Sequence, residues 1–599
     1  MGFKTGNFPP VDLDTFLDEP LQKRIRVLAL HWVEYGFGSP KMIHTVYAAK
    51  VIFLFGLGGV ALATQTSGVG PFWDVANWWN QPIVYQKVVL WTVLLEAIGV
   101  AGSWGPLAGK FKPMTGGILF FARPGAIRLR PWRWMPFTNG DRRTVFDVLL
   151  YLAFLASLLT AIVLPGAPTA SLSSALPDNT SGLVRPALLV APIVLYMLTG
   201  LRDKTIFLTA RGDQYLPALV FFALLSFTDM IIAGKLLICV VWIGAGVSKF
   251  GLHFTNVVAP MVSNSPCVPG KWIRRLHYRD FPRDIRCSKV ATLMAHVGGT
   301  TVEIITPLVL LLSTNRSLTI AAVALMVVFH LFITAMFPLA VPLEWNILFG
   351  YLVIFLFLGF PSWHGYGIAD MSSPWLTAGI VACLVFFPIL GNLRPDLVSF
   401  LPSMRQYAGN WASALWVFAP GAEAKLNSLP HRPTQNQVDQ LRQMGYSAPM
   451  AEITMQQTIA WRAMHSQGRG LFSVLMRRIP DLERRTVREA EFGCNSIIGF
   501  NFGDGHLHQL DLINAVQSRV GFAPGEWIVV WVESQAIHRG VQHYQLIDAA
   551  LGVIERGTWK VADAVAEQPW LPNGPIPVEV TWTREPSHQP LPPRVNTEA

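Results

Sequence analysis

The segment VWIGAGVSKFGLHF (residues 241–254) ends a long apolar run with a lysine, and the strongly basic segment KWIRRLHYRDFPRDIRCSK (271–289) follows it. An apolar run of about 20 residues can cross a bilayer, whereas a basic segment beside it is typical of a loop at the membrane surface. A charge in the bilayer core costs about 2.5–3.5 kcal/mol or more. The pattern predicts a membrane helix in which Lys249 either faces other protein or reaches the membrane surface.

The composition extends this prediction to most of the chain. Of 599 residues, 52% are hydrophobic and 14% are charged, and the mean hydropathy is +0.39. The 21 Trp and 36 Phe are typical of the aromatic belts at membrane interfaces. The composition predicts a polytopic α-helical membrane protein in the plasma membrane. Five scattered cysteines, an odd number, argue against a disulfide framework.

The net charge of +10 lies mainly in loops beside apolar segments, which favours contact with anionic membrane lipids. No motif for nucleic acid accompanies it, so we expect no nucleic-acid partner.

Ten apolar segments are predicted to span the membrane, the fifth and sixth joined by a tight turn at 233–235: 44–64, 84–104, 144–164, 184–201, 214–232, 234–250, 290–313, 317–336, 344–361 and 374–393.

Loops rich in lysine and arginine alternate along the chain with loops that contain neither. Eight of them lie in 105–143, whereas 65–83 and 165–183 contain none. Because positively charged loops stay in the cytoplasm, ten spans place both termini there.

The sequence changes character after residue 394. Segments 496–502, 525–534 and 576–583 alternate in the manner of strands, and 507–521 and 544–557 have helical patterns. They predict a C-terminal soluble α+β domain. The predicted organisation is a cytoplasmic N-terminal segment, a transmembrane bundle, a helical connector, the α+β domain and a disordered tail, at 1–43, 44–394, 395–480, 481–585 and 586–599.

Three ionisable residues stand out in the apolar segments after the basic loop. His296 and Glu303 are two helical turns apart and are expected on one face, and His330 follows on the next helix. Together they could bind a metal, relay protons or orient a quinol, or they could be separate, hydrogen-bonded core residues. Their spacing matches no zinc motif, so we expect no metal here.

Other polar residues carry weaker signals. Glu96 is expected inside a membrane segment, and Asp229 could pair with Lys235 across the predicted turn. His506 and His508, at alternate positions, could hold a metal if they lie on a strand, although such pairs are common by chance.

Several of these residues carry a resemblance to vitamin K-dependent gamma-carboxylases and their bacterial HTTM relatives, over about 200–360. Gly246-Val247-Ser248-Lys249-Phe250 resembles the family's Gly-x-x-Lys-Leu motif, and His296-Val297-Gly298-Gly299 and Val328-Phe329-His330 resemble its next helices. The chain also resembles a family of actinobacterial transmembrane proteins.

The carboxylase resemblance implies an enzyme acting on a lipid or quinol-type substrate, with a quinol as the implied cofactor. Lys249 would be the base, and His296, Glu303 and His330 would line the pocket. Asp213 and Gln214 are candidates for its rim, and Asp229 is a candidate for a proton relay or for contact with the bound substrate or cofactor. The alternative is a protein without catalytic activity that binds lipids or recruits envelope-synthesis proteins.

Overall fold

The computed structural model describes residues 7–39, 41–100, 117–168, 182–336, 344–405, 408–500, 505–535 and 537–585. Helices dominate the first two thirds of the chain. They are α1 (Leu21–Tyr35), α2 (Lys41–Ala49), α3 (Gly58–Ser67), α4 (Val75–Trp78), α5 (Pro82–Ala97), α6 (Gly117–Phe121), α7 (Val145–Val163), α8 (Pro186–Arg202), α9 (Lys204–Thr209), α10 (Gly212–Leu224), α11 (Phe227–Ser248), α12 (Thr255–Asn264), α13 (Lys271–Arg275), α14 (Lys289–Ala295), α15 (Val302–Leu312), α16 (Arg316–Met336), α17 (Glu344–Ile354) and α18 (Pro374–Leu393).

Six helical segments among the described residues are long and apolar enough to cross a membrane: His44–Ser67, Val145–Val163, Phe227–Ser248, Lys289–Leu312, Arg316–Ala335 and Pro374–Leu393. A seventh is possible if Glu344–Gly359 and Ser362–Asp370, which meet at a 42° bend, form one span. The other three predicted spans coincide with the shorter helices α5, α8 and α10. The predicted count of ten is therefore not confirmed.

The turn between the fifth and sixth predicted spans lies elsewhere than expected. α10 ends at Leu224 and α11 begins at Phe227, with Ser226 capping α11 through a bond to the Asp229 N–H. Residues 233–235 are therefore inside α11, and the predicted tight turn there is wrong. A serine followed three residues later by an acidic residue is typical of a helix N-terminus. This pattern at Ser226 and Asp229 was overlooked because the sequence on both sides of it is apolar.

The predicted Asp229–Lys235 ion pair is also absent. The Asp229 carboxylate accepts hydrogen bonds from the backbone N–H and the hydroxyl of Ser372, at 2.8 and 2.7 Å. Lys235 donates to the Tyr366 carbonyl at 2.6 Å. Because both residues belong to one continuous helix, no turn brings their side chains together.

Three segments of the apolar helices are π-helical: Lys50–Leu57, His296–Thr301 and Phe355–Gly359. The wider π turn shifts the residues that follow to another face of the helix and is frequent at functional sites. The second of these segments joins α14 to α15.

The chain after α18 folds around a six-stranded antiparallel sheet of order β4-β3-β5-β6-β7-β8. A two-stranded ribbon, β1 (Tyr278–Asp280) and β2 (Asp284–Cys287), lies in the basic loop after α12. The other elements are β3 (Ser413–Phe418), α19 (Gln437–Gln443), α20 (Ala448–Met464), α21 (Ser466–Arg478), β4 (Thr486–Glu489), α22 (Ala490–Ile498), α23 (Leu510–Val520), β5 (Trp527–Val532), β6 (Val541–Asp548), β7 (Gly552–Lys560), α24 (Val561–Ala566) and β8 (Glu579–Thr583).

Two segments of this domain differ from the prediction. Residues 544–557, predicted as a helix, form β6 and β7 around a tight turn. Asp548 accepts from the N–H groups of Ala550 and Leu551 there, and Gly552 has a φ of +83°. The described part of 496–502, predicted as a strand, is mainly the end of α22.

The segment predicted as a helical connector contributes β3, which pairs with both β4 and β5. All six of its residues are buried. The N-terminal helix α1 packs against α20. Both the N-terminal segment and the connector therefore contribute to the folded C-terminal part of the chain.

The loops rich in lysine and arginine contact this C-terminal part. Arg519 of α23 binds Asp141 with two hydrogen bonds of 2.7 and 2.9 Å, and Lys204 donates to the His506 carbonyl at 2.9 Å. Arg286 donates to the Ala566 carbonyl at 3.0 Å. These loops and the C-terminal domain thus lie at one end of the bundle, which we call the domain side.

The connection between α11 and α12 is tied to the same domain. Asn410 donates to the Ser248 carbonyl at 3.3 Å, and Arg469 donates to Asn256 Oδ1 at 3.0 Å. His253 donates from Nε2 to Gln535 Oε1 and accepts at Nδ1 from the Ser466 hydroxyl at 2.7 Å. Burial lowers the pKa of His253 to about 4, so the ring is neutral near pH 7.

Candidate functional site

A cavity of about 450 Å³ lies between the helices near the domain side. Helices α11, α12, α15, α16 and α17 supply most of its wall, and the surface is predominantly apolar. Its lining residues are Gln214, Val241, Trp242, Ala245, Lys249, Phe254, Val258, Met261, Val262, Met294, Gly298, Gly299, Val302, Glu303, Leu325, Val328, Phe329, His330, Phe332, Ile333, Trp345, Asn346 and Phe349.

The cavity opens sideways along α16. Three apolar residues of this helix line the cavity and are strongly exposed: Val328 at 61%, Leu325 at 44% and Phe332 at 39%. α16 is one of the helices long and apolar enough to cross a membrane, and exposed apolar side chains on such a helix suit contact with lipid. The cavity is therefore lined on one side by the exposed apolar surface of α16.

Two glycines, Gly298 and Gly299, also line the cavity. Gly298 and Gly299 lie in the π-helical segment His296–Thr301. A Cβ at Gly298 would meet no atom within 4 Å, and a Cβ at Gly299 would first meet the ring of Phe254 at 3.3 Å. A larger residue at Gly298 would consequently extend into open space at the cavity.

Lys249 and Glu303 form an ion pair in the cavity wall. They are 7% and 4% exposed, and the Lys249 ammonium also lies 5.1 Å from the centre of the Phe254 ring. A Cβ at Gly246 would lie 2.7 Å from Ile304 and 3.2 Å from Glu303. The glycine thus lets α11 and α15 approach closely enough for the two charges to meet.

His330 is held by hydrogen bonds at both ring nitrogens. The Trp242 indole N–H, which can only donate, contacts Nε2 at 3.0 Å. Nδ1 lies 2.8 Å from Asn346 Oδ1 and donates to it. The ring is therefore a neutral tautomer with both nitrogens engaged, which suits a structural role better than a proton relay.

Gln214 of α10 also lines the cavity. Its side chain is buried, and Oε1 has no hydrogen-bond partner. The preceding turn is fixed by the Arg211–Asp213 ion pair, with the Arg211 guanidinium 4.2 Å from the centre of the Trp345 ring.

The structure brings four of the seven predicted site residues to one cavity: Lys249, Glu303, His330 and Gln214. The catalytic and binding roles assigned to them stay predictions. Trp242, Asn346 and the two glycines were missed. Asn346 gave a usable signal, because a polar amide in the apolar sequence EWNILFG needs a partner.

The other three predicted residues are not among the lining residues. His296 is half-buried and contacts the Thr255 hydroxyl at 3.5 Å. Asp213 pairs with Arg211, and Asp229 binds Ser372. The chain between His296 and Glu303 begins with the π-helical segment His296–Thr301 rather than with regular α-helical turns, and of the two residues Glu303 lines the cavity.

The polar residues noted elsewhere have separate surroundings. Glu96 accepts a hydrogen bond of 3.3 Å from the Tyr215 hydroxyl. His506 contacts Glu533 at 2.9 Å and lies in the short helical turn Gly505–Leu507 rather than on a strand. Within the described ranges, no group of three or more His, Cys, Asp or Glu side chains is arranged to hold a metal ion.

Apolar helices of membrane-spanning length around a cavity that opens sideways define an integral membrane protein. The chain belongs to the family described as transmembrane protein of unknown function (DUF3556), whose family profile matches residues 1–581. Comparisons with curated proteins and with solved structures found no match. None of these findings shows a relationship to the vitamin K-dependent carboxylases.

The ion pair predicts a specific stability pattern. Lys249→Met leaves the Glu303 carboxylate buried without its cation, which should destabilise the fold by roughly 3–5 kcal/mol. Adding Glu303→Gln should recover most of that loss. Thermal unfolding in detergent measures both effects.

Lys235→Met is the matched control for this series. Lys235 is buried in the same helix but donates to a backbone carbonyl, so its removal leaves no buried carboxylate without a cation. An equal loss in Lys249→Met and Lys235→Met, or no recovery in the double variant, would contradict a stabilising pair.

Proposed function

We propose that this protein takes an amphipathic molecule of the lipid or quinol type from the bilayer and holds it in the cavity. The observation that carries the proposal is the sideways opening, lined by the lipid-facing residues of α16. An apolar ligand reaches such an opening by diffusion within the membrane. The polar groups at Gln214, Lys249 and Glu303 suit its head group.

The size of the cavity supports this proposal. Its volume of about 450 Å³ is within the range of about 300–1,000 Å³ for small-molecule pockets. It accommodates a head group and the adjoining part of a chain. The rest of the chain would stay in the bilayer beside α16.

A carboxylase-like reaction has weaker support than binding alone. A catalytic base needs a lone pair free to reach the substrate, whereas the Lys249 side-chain nitrogen is engaged by the Glu303 carboxylate. The hydrogen bonds at both nitrogens of His330 likewise leave it poorly suited to carry protons. Enzymatic activity and recruitment of envelope-synthesis proteins both stay predictions.

The contacts of the basic loops with the C-terminal domain favour one orientation. Lysine- and arginine-rich loops remain in the cytoplasm, so we propose that the domain side is cytoplasmic and that the membrane is the plasma membrane. Reporter fusions after Ala599 and within 123–143 should give cytoplasmic signals, whereas a fusion within 165–168 should give an external one. An external signal from Ala599 would contradict this orientation.

Filling the cavity should displace the ligand. Gly298→Leu adds a branched side chain in the open space of the cavity and should reduce the amphiphile that copurifies with the protein by roughly tenfold, a loss of about 1.4 kcal/mol in binding. Mass spectrometry of the native protein released from detergent measures the bound molecules.

Gly379→Leu provides the control because it makes the same change at a glycine that also has no atom within 4 Å of the added Cβ but does not line the cavity. It should retain the ligand. Equal occupancy in both variants, or no amphiphile on the unmodified protein in any lipid extract, would overturn the proposed function.

A further inference from the structure

We propose that the short helix α13, the strand β1 and the start of α14 form a binding surface for the head groups of anionic phospholipids. The surface consists of Trp272, Leu276, Arg279 and Lys289, and we call it the interfacial patch. These four residues are not among those that line the cavity. The inference therefore concerns a second site and stands apart from the proposed function.

The interfacial patch lies at the start of Lys289–Leu312, a helical segment long and apolar enough to cross a membrane. Ser288, just before this segment, donates from its hydroxyl to the Leu276 carbonyl at 2.6 Å. The Arg279 side chain donates to the Cys287 carbonyl at 3.2 Å. These bonds hold α13 and β1 against the end of the segment, which is where a spanning helix leaves the hydrocarbon region and meets the lipid head groups.

Large apolar side chains are exposed at this end of the helix. Trp272 is 66% exposed and Leu276 47%, and their spacing of four residues places them on the same side of a helical turn. Val290 and Leu293 of α14 are also exposed. Such side chains suit the boundary between head groups and acyl chains, where tryptophan is enriched in membrane proteins.

The remaining basic residues of α13 face another part of the protein. Lys271 and Arg275 both pair with Glu34 of α1, and Arg274 donates to the Ser265 carbonyl at 2.9 Å. These contacts fasten α13 to its surroundings while Trp272 stays exposed. The position of the patch is therefore fixed by the fold.

The exposed charges of the stretch 276–290 are mainly positive. Arg279, Arg283 and Lys289 are exposed there, and Asp280 is the exposed acidic residue. Basic residues close to a bilayer surface attract anionic lipids. A neutral phospholipid would satisfy the apolar contacts of the patch but not its charges, so the structure favours an anionic head group.

Photo-crosslinking tests the position of the patch. Trp272 is replaced by benzoylphenylalanine in the full-length protein, which is placed in vesicles of equal amounts of dioleoyl phosphatidylglycerol and dioleoyl phosphatidylcholine. Illumination should attach phospholipid at position 272. The same replacement at Trp582, an exposed tryptophan of the edge strand β8, is the control and should give little lipid adduct. No adduct at position 272, or equal yields at both positions, would overturn the inference.

The identity of the attached lipid tests the charges, and mass spectrometry of the adduct at position 272 measures it. Phosphatidylglycerol should exceed phosphatidylcholine roughly fivefold, because each basic residue near the surface adds to the attraction. Combining Arg279→Gln with Lys289→Gln should bring the ratio close to one. Arg442→Gln with Lys560→Gln is the matched control, since it removes one exposed arginine and one exposed lysine from the C-terminal domain, and it should keep the preference.

A charge-preserving variant separates the loss of charge from a change in local structure. Arg279→Lys combined with Lys289→Arg keeps both cations and should retain the preference for phosphatidylglycerol. Equal amounts of the two lipids at position 272 before any charge is removed would overturn the inference. An unchanged ratio after Arg279→Gln and Lys289→Gln, or an equal loss in the control pair, would also overturn it.

Discussion

The close approach of α11 and α15, which joins Lys249 to Glu303, is the contact on which the cavity depends. Gly246 makes it possible because a Cβ there would collide with Ile304. The ion pair places two buried charges in the wall without leaving either uncompensated. The same pairing keeps the cavity neutral and allows an apolar surface to surround it.

The cavity wall is continuous with the C-terminal domain. Lys249 and Phe254 lie in the connection between α11 and α12, and this connection is bound by Asn410, Ser466, Gln535 and Arg469. A shift of the domain would therefore move two lining residues. The C-terminal sheet region also includes β3 and packs against α1 through α20, so it contacts both the N-terminal segment and the wall of the cavity.

The membrane class could be predicted from the sequence because apolar composition is a direct consequence of bilayer burial. The number of spans could not be predicted in the same way. The helix α5 is short and almost wholly buried by protein, but its apolar composition is the same as that of a helix that faces lipid. Residues 544–557 were mistaken for a helix because they combine two strands and a tight turn into one apolar pattern. Pairing across a sheet depends on tertiary contacts that a single segment does not encode.

The candidate site was predictable to a similar extent. Lys249, Glu303 and His330 were found because ionisable groups in apolar helices need partners. The place of His296 was missed because the π-helical segment that follows it changes the face on which later residues lie. The Lys249–Glu303 distance depends on how α11 packs on α15, which spacing along the chain does not determine.

An electron cryomicroscopy map of the full-length protein in nanodiscs made from a native lipid extract tests the central claim most directly. The account predicts elongated density that begins beside Gln214 and the Lys249–Glu303 pair and leaves the bundle next to Val328. A cavity closed by the packing of α16 against α15, or one without lipid-like density, would contradict it.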